Sequence, residues 1–222
     1  MNLLLLDGHP DANRLTSHLL DIYAAALPED ATVTRIALRD LAFSPNLRHG
    51  YARRTEWEPD LHRLAAAIDS CDHLAIAFPM WWGSEPAELK GLLDRVLLPG
   101  FAFAYRPGGL LWDRLLEGRS ADVIATMDTP PLYLRFGYGN AIVKRWKRQV
   151  LGFCGFDPVR FLACGPVKNG AAEKALPRWH RKLGRMARSI RASKPEAKQP
   201  RLEVFLDRPR SQARDASQTS NS

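Results

Sequence analysis

Three stretches of this chain carry residue types that could act together on a flat, anionic ligand. The first is DGHPDANRLTSHLL (7–20), which leads His9, Arg14, Thr16 and Ser17 into a helix start. Amides in the first turn of a helix lack partners and favour anions, so these amides and the Thr16 and Ser17 hydroxyls suit a phosphate, with His9 and Arg14 adding charge. The stretch matches neither the G-x-x-x-x-G-K-[ST] loop nor the G-x-G-x-x-G turn, and an ordinary capped helix with a surface histidine is the competing reading. The second stretch is FPMWWGSEP (78–86). Pro79 steers the backbone out of a strand, Phe78 before it is held extended, and Gly83 allows unusual dihedrals or close approach of a ligand. Adjacent Trp81 and Trp82 are costly to leave wet; they either wall a planar ring or pack on the next helix or a second copy. The third is TMDTPPLYLRFGYGN (126–140), a long loop with two prolines, two glycines and three aromatics, which reads as a binding loop. Tyr133 and Tyr138 could donate to a developing anion; for Tyr138 simple packing is an equal alternative.

The elements that must position these loops alternate along the chain. Buried strands are predicted at 3–7, 32–38, 72–79, 121–127 and 158–164, and helices at 15–27, near 61–70, and at 86–98, 139–152 and 171–192. Pro86 suits a helix start, whereas Pro177 is tolerable only near the beginning of the last helix. Five strands alternating with helices predict an α/β fold, a doubly wound five-stranded parallel sheet with helices on both faces and right-handed crossovers. Ligands of such sheets sit beyond the carboxyl ends of the strands at the switch point, where the three loops would gather. Residues 1–192 form the expected domain. Residues 193–222, rich in Ser, Gln, Arg, Asp and Pro, form an expected disordered or loosely docked tail, in which LEVFL (202–206) would dock on a neighbour.

Composition narrows the function classes. No apolar run approaches the ~20 residues of a membrane span, and the start has neither a basic region nor a long enough apolar run for a signal peptide. Cys71, Cys154 and Cys164 are odd in number and lack C-x-x-C spacing, which fits a reduced, cytoplasmic setting, and the six histidines lack metal-ligand spacing. The net charge of +8 divides into −6 over residues 1–134 (12 Lys/Arg, 18 Asp/Glu) and +14 over 135–222 (20 Lys/Arg, 6 Asp/Glu). A basic half can meet nucleic acid, anionic lipid or a phosphate-rich small molecule. In 178–191 the basic residues instead fall between the apolar positions Trp179, Leu183, Met186, Ala187 and Ile190, the pattern of a solvated helix face, without base-stacking aromatics. Nucleic acid is therefore not expected as a partner.

Three segments together resemble a known family: GHP after the first strand, FPMWWGSEPAELKGLLDRVLLPGFAFAY (78–105) and GFCGF (152–156). They are similar to the NAD(P)H:quinone oxidoreductases of the flavodoxin-like superfamily, the DT-diaphorase group, over about residues 1–190. The resemblance implies a dimeric flavoprotein that reduces quinones, or similar small electrophiles, by two electrons with NADH or NADPH in a ping-pong cycle. It implies FAD as the flavin, with FMN as the alternative. It puts His9, Leu15, Thr16 and Ser17 around the flavin phosphates, with Leu15-Thr16 standing where many members have Phe-Asn. Pro79, Met80, Trp81, Trp82 and Gly83 would line the isoalloxazine, as would Thr126, Met127 and Asp128, in a loop where many members have Thr-Thr-Gly-Gly. Phe101, Phe103 and Tyr138 would form the substrate pocket, the two phenylalanines reaching toward the partner subunit. Members of the group pair a Tyr with a His beside the flavin; this chain offers Tyr133 for the catalytic role and has no His between 74 and 179. Two other functions share the resemblance: an ancillary flavoprotein docked on a membrane transporter or the membrane surface, and a one-electron carrier, against which the basic balance argues.

Overall fold

The computed structural model describes residues 1–53, 55–108, 110–190 and 201–207. Five parallel strands build one sheet in the order β2-β1-β3-β6-β7: β1 (Asn2–Asp7), β2 (Thr32–Ala37), β3 (His73–Pro79), β6 (Ser120–Thr126) and β7 (Val159–Cys164). This is the expected doubly wound sheet, and its order reverses between β1 and β3. β3 is buried along its whole length and β6 along nearly all of it, as strands covered on both faces must be.

Alternation along β1 divides the core. Leu4 and Leu6 face the layer holding α2 (Pro59–Ser70), α3 (Ala87–Val96) and Trp146, while Leu5 faces α1 (Leu15–Ala24) and α7 (Ala171–Arg188). α2 begins with Pro59 at its first position, where the missing N–H costs nothing. α7 carries Pro177 in its second turn, later than the sequence allows most easily. Burial of Trp179 and Leu183 offsets the lost ladder bond.

Three features depart from the reading of the sequence. Between α3 and β6 lies a two-stranded antiparallel ribbon, β4 (Phe103–Tyr105) and β5 (Trp112–Arg114). The 126–140 loop contains α4 (Pro131–Phe136), and the helix after it runs as α5 (Ala141–Lys144), a π-helical segment (Arg145–Val150) and α6 (Leu151–Cys154). LEVFL forms α8 (Leu202–Leu206) and docks on this chain's own α2 layer. Phe205 is buried, its ring 4.6 Å from that of Trp57 and 5.9 Å from that of Phe101. The expected disorder of the rest of the tail, at 193–200 and 208–222, falls outside the described residues.

Candidate active site

At the carboxyl end of β1 the chain passes close to both β3 and α3, which leaves little room for a side chain at Gly8. The Gly8 amide donates to the Ala77 carbonyl at 2.7 Å, and a Cβ on Gly8 would lie 2.6 Å from Leu89 Cδ2. Asp7, fully buried, organises the turn beyond it. Its carboxylate accepts from Ser17 Oγ at 2.6 Å and from Arg39 Nη1 at 2.7 Å, and the His9 amide donates to it at 3.3 Å. Ser17 therefore spends its hydroxyl on Asp7, which corrects the expectation that this hydroxyl meets a phosphate; only its backbone amide remains for that purpose. Arg14 is paired with Asp11 and is likewise already engaged. Neither Asp7 nor Arg39 was singled out from the sequence, because one reads as a strand end and the other as a surface arginine.

The remaining donors of the α1 turn are open. The first intrahelical bond at the α1 start is His18 N to Arg14 O, so the amides of Leu15, Thr16 and Ser17 precede the ladder, and no side chain caps them. Thr16 Oγ1 is buried without a hydrogen-bond partner. A buried hydroxyl left orphaned costs free energy unless something external meets it, and here it sits in the same turn as three open amides. That set fits a phosphate. His9 Nδ1 accepts from the Asp11 amide at 2.9 Å, so its proton resides on Nε2. Burial, aided by Arg14 and opposed by Asp7, lowers its pKa, so His9 offers a neutral N–H donor and not a fixed positive charge.

The tryptophan stretch is a tight two-residue hairpin. Trp81 N donates to Ser84 O at 2.8 Å and Ser84 N returns a bond to Trp81 O at 3.0 Å. Trp82 and Gly83 fill its tip at φ of 50° and 79°, the positive values such a turn demands. Glycine takes this conformation freely, but a tryptophan does not, and such strain marks functional sites. The Trp82 ring is fully solvent-exposed, at 105% of its reference area, while the half-exposed Trp81 lies edge-on to His9 at 5.8 Å. Trp82→Asn is expected to raise stability by about 1 kcal/mol, since asparagine tolerates positive φ, while lowering flavin retention. Trp179→Ala, in the core, is expected to cost about 3–5 kcal/mol of stability with flavin still bound by the folded fraction. Denaturant melts and bound-flavin absorbance check both.

Behind the hairpin sits a second buried carboxylate that sequence reading passed over. Glu85 accepts from Arg145 through both oxygens (Nη2 to Oε1 at 2.7 Å), from Trp146 Nε1 at 3.2 Å and from Ser84 Oγ at 3.0 Å. Burial opposes its charge, yet the Arg145 donors outweigh burial and hold the carboxyl below the usual glutamate range. The Trp loop is thereby anchored to the π-helical segment.

The third loop joins the tryptophan loop through one bond, Met80 N to the Thr126 carbonyl at 2.7 Å. Met127 is buried, and Asp128 pairs with Lys168 at 2.6 Å. Tyr133 and Tyr138 are half-exposed and meet edge-on at 4.9 Å, leaving both phenols to solvent. The expected substrate-pocket residues divide. Phe101 is fully buried against Trp57 and Phe205 of the α8 segment and does not line the cavity that Phe103 borders. Phe103 borders a cavity of about 250 Å³ with Tyr51, Lys90, Tyr105, Arg145 and Phe153. Tyr138 stays with Tyr133, away from that cavity's lining.

So the geometry brings together His9, the Leu15–Ser17 turn, Pro79–Gly83 and Thr126 at the β1/β3 switch point. A family model described as flavodoxin-like fold matches residues 1–185. The chain belongs to the Flavodoxin_2 family. An FMN-dependent NADH:quinone oxidoreductase of Cereibacter sphaeroides (strain KD131 / KCTC 12085) is 31% identical over 171 residues, spanning 73% of this chain and 84% of the relative. The solved structure of Smu.1420 from Streptococcus mutans UA159 superposes with a TM-score of 0.69 at 27% identity, covering 86% of this chain and 100% of that one. An NAD(P)H:quinone oxidoreductase from Methanothermobacter marburgensis also reaches 0.69, at 23% identity over 86% of this chain and 99% of that one, a likeness of fold. The resemblance carried by GHP, the 78–105 stretch and GFCGF thus holds for this Flavodoxin_2 chain.

Proposed function

We propose that this chain is a flavin-dependent NAD(P)H oxidoreductase that reduces quinones by two electrons. The net reaction is NAD(P)H + H⁺ + quinone → NAD(P)⁺ + hydroquinone. The observation that carries the reading is the convergence of an open, orphan-bearing helix turn, the strained tryptophan hairpin and the Thr126 loop at one switch point. The similarity to an FMN-dependent NADH:quinone oxidoreductase supports it, and for the same reason FMN takes the place of FAD as the expected flavin. A single helix N-terminus also suits a single phosphate.

The amides of Leu15, Thr16 and Ser17, the Thr16 hydroxyl and His9 Nε2–H would hold the phosphate. The Pro79–Gly83 turn and the edge of Trp81 would line the ring, as would Thr126, Met127 and Asp128. The flavin, when bound, supplies hydride acceptance from the nicotinamide and hydride donation to the quinone. The chain supplies orientation, a stacking surface and donors where negative charge gathers. Tyr133 is the side chain assigned to that last role. A hydrogen bond to a charged group is worth ~1.5–3 kcal/mol. Tyr133→Phe is therefore expected to slow flavin reduction or reoxidation by roughly 10- to 100-fold in stopped flow with flavin retained; unchanged rates in both half-reactions would transfer the role to Tyr138 or to backbone amides.

Residues 1–192 act as one flavin-binding domain, and the protein works as a cytoplasmic two-fold dimer. Leu110, 97% exposed, and Leu111, beside it on the β4–β5 ribbon, ask for a partner subunit. One pocket serving donor and acceptor in turn gives ping-pong kinetics. Steady-state assays with NADH and a benzoquinone over a grid of concentrations test the reading. Parallel double-reciprocal lines support it, and the absence of quinone-dependent NADH oxidation by flavin-loaded protein overturns it.

A further inference from the structure

Two arms of the chain meet at the cavity that Phe103 borders, and the C-terminal segment is wedged where both arms begin. The first arm is the loop before α2. Buried Arg95 pins it at both ends, donating to the carbonyls of Ser44 and Glu56 and to the Glu58 carboxylate at 2.7 Å. Trp57 Nε1 returns a bond to the Arg95 carbonyl at 2.6 Å. Between those ends the loop carries Tyr51 to the cavity. The second arm runs from α3 into β4 and carries buried Phe101 and, two residues on, Phe103. At the cavity the arms touch through Tyr51 and Phe103, edge-on at 6.3 Å. Where they begin they touch through Trp57 and Phe101, edge-on at 5.4 Å, and Phe205 contacts both of these rings, at 4.6 and 5.9 Å. Of the five residues of α8 only Phe205 is buried; Val204 and Leu206 are exposed. Asp69, at the end of α2, fixes the start of α8: its carboxylate accepts from Arg201 N at 2.9 Å and from Leu202 N at 3.1 Å, and is itself held by fully buried Arg119. A five-residue helix does not hold its shape alone, so this cap and the Phe205 ring decide where it sits.

We infer that Phe205 is a positioning residue: by filling the junction of the two arms it sets how Tyr51 and Phe103 stand at the cavity. Close-packed interiors transmit strain, and neighbours settle toward the space a deleted ring leaves, so a change at the junction is felt at the other end of each arm. The cavity shares a wall with the tryptophan hairpin, because Arg145 lines it and holds Glu85 beside Ser84. Tyr51, Phe103, Tyr105 and Phe153 give it aromatic sides, the chemistry that receives a planar ring. Resting on the quinone-reductase reading, these sides meet the ring of the acceptor. Phe205 then governs acceptor binding, while the flavin, assigned to the α1 turn and the hairpin, is held by other elements.

Steady-state kinetics of the flavin-loaded full chain with a benzoquinone test the inference, with flavin Kd measured alongside. Phe205→Ala is expected to raise KM for the quinone roughly 10-fold, short of the ~100-fold that an ångström of misplacement can cost. Turnover per bound flavin and flavin Kd should stay close to those of the parent. Phe205→Leu, a smaller loss of volume, should raise KM less, and it decides alone if Phe205→Ala does not fold. Val204→Ala, at an exposed neighbour, should change neither quantity. Lower stability with KM unchanged would make α8 a structural element alone and overturn the inference. So would a parallel rise in flavin Kd, the mark of general loosening. A second readout needs no activity: in a double-mutant cycle by urea melts, Phe205→Ala and Tyr51→Ala are expected to depart from additivity by at least about twofold in the unfolding constant. Additive losses would overturn the inference. Coupling in a protein that reduces no quinone would leave the positioning role standing and remove only the acceptor reading.

Discussion

Asp7→Ala is expected to unfold the phosphate turn and to remove about 3–5 kcal/mol of stability, the usual cost of leaving a buried cation without its partner. Asp7 is fully buried, and three groups converge on it: the Ser17 hydroxyl, the Arg39 guanidinium and the His9 amide. Removing the carboxylate strands all three. Arg39 keeps a quarter of its side chain in solvent and can turn outward, which places the loss toward the lower end of that range. The flavin should suffer more than the fold. Ser17 and His9 flank the open amides, so freeing them loosens the turn that would hold the phosphate, and the flavin Kd should rise at least about tenfold per 1.4 kcal/mol lost. Arg39→Met, which deletes the charge and keeps the apolar stem, should show a smaller form of both effects. Urea melts at several flavin concentrations check the pair, because bound flavin adds its own stabilisation and the two losses then separate.

Glu85→Ala is the second large effect, again about 3–5 kcal/mol. Its carboxylate has no exposed surface, and the Arg145 fork, the Trp146 indole and Ser84 all donate to it. Trp146 is itself fully buried and stacks on Phe78 at 4.9 Å, so the damage spreads into the core beneath β3. The tryptophan hairpin ends at Ser84, so its position should drift and flavin retention fall with stability. Glu85→Gln keeps the shape but not the charge and should lose less. The same residue gives a pH signature. Its folded pKa lies below the ordinary value, so its contribution is present above the unfolded glutamate range, about 4.3, and is lost as pH falls through the folded value. Stability of the parent should drop more steeply in acid than that of Glu85→Gln.

Much of the fold could be read from the sequence, for physical reasons. β1 and β3 are near-continuous apolar runs, which only strands buried on both faces tolerate, and α2, α3 and α7 show the 3.6-residue stripe. The β4–β5 ribbon was missed because each strand is only three residues long, too short for a period to register. α4 was hidden by Pro130-Pro131, which read as loop punctuation although Pro131 opens the helix. α8 was assigned to a neighbour because nothing in LEVFL says that Trp57 and Phe101 leave room for Phe205.

In the site, the loops were legible and the carboxylates beneath them were not. Pro79, the tryptophans and Gly83 announce an irregular turn, whereas Asp7 and Glu85 find their charge partners in Arg39 and Arg145, 32 and 60 residues away. Such pairings leave no local trace. The Ser17 hydroxyl and the Phe101 ring are withdrawn from the site for the same reason: each has a partner inside the chain, one in Asp7 and the other in Trp57 and Phe205.

The most direct test of the central claim is the flavin itself. Protein purified from cells, or dialysed after incubation with FMN and FAD in competition, is denatured and the released small molecules are weighed by mass spectrometry against chain concentration. A yellow protein releasing one FMN per chain, and losing it with Thr16→Val, is the result expected. A colourless protein that takes up neither flavin would contradict the account, since the open amides, the orphan hydroxyl and the strained hairpin would then have no ligand in common.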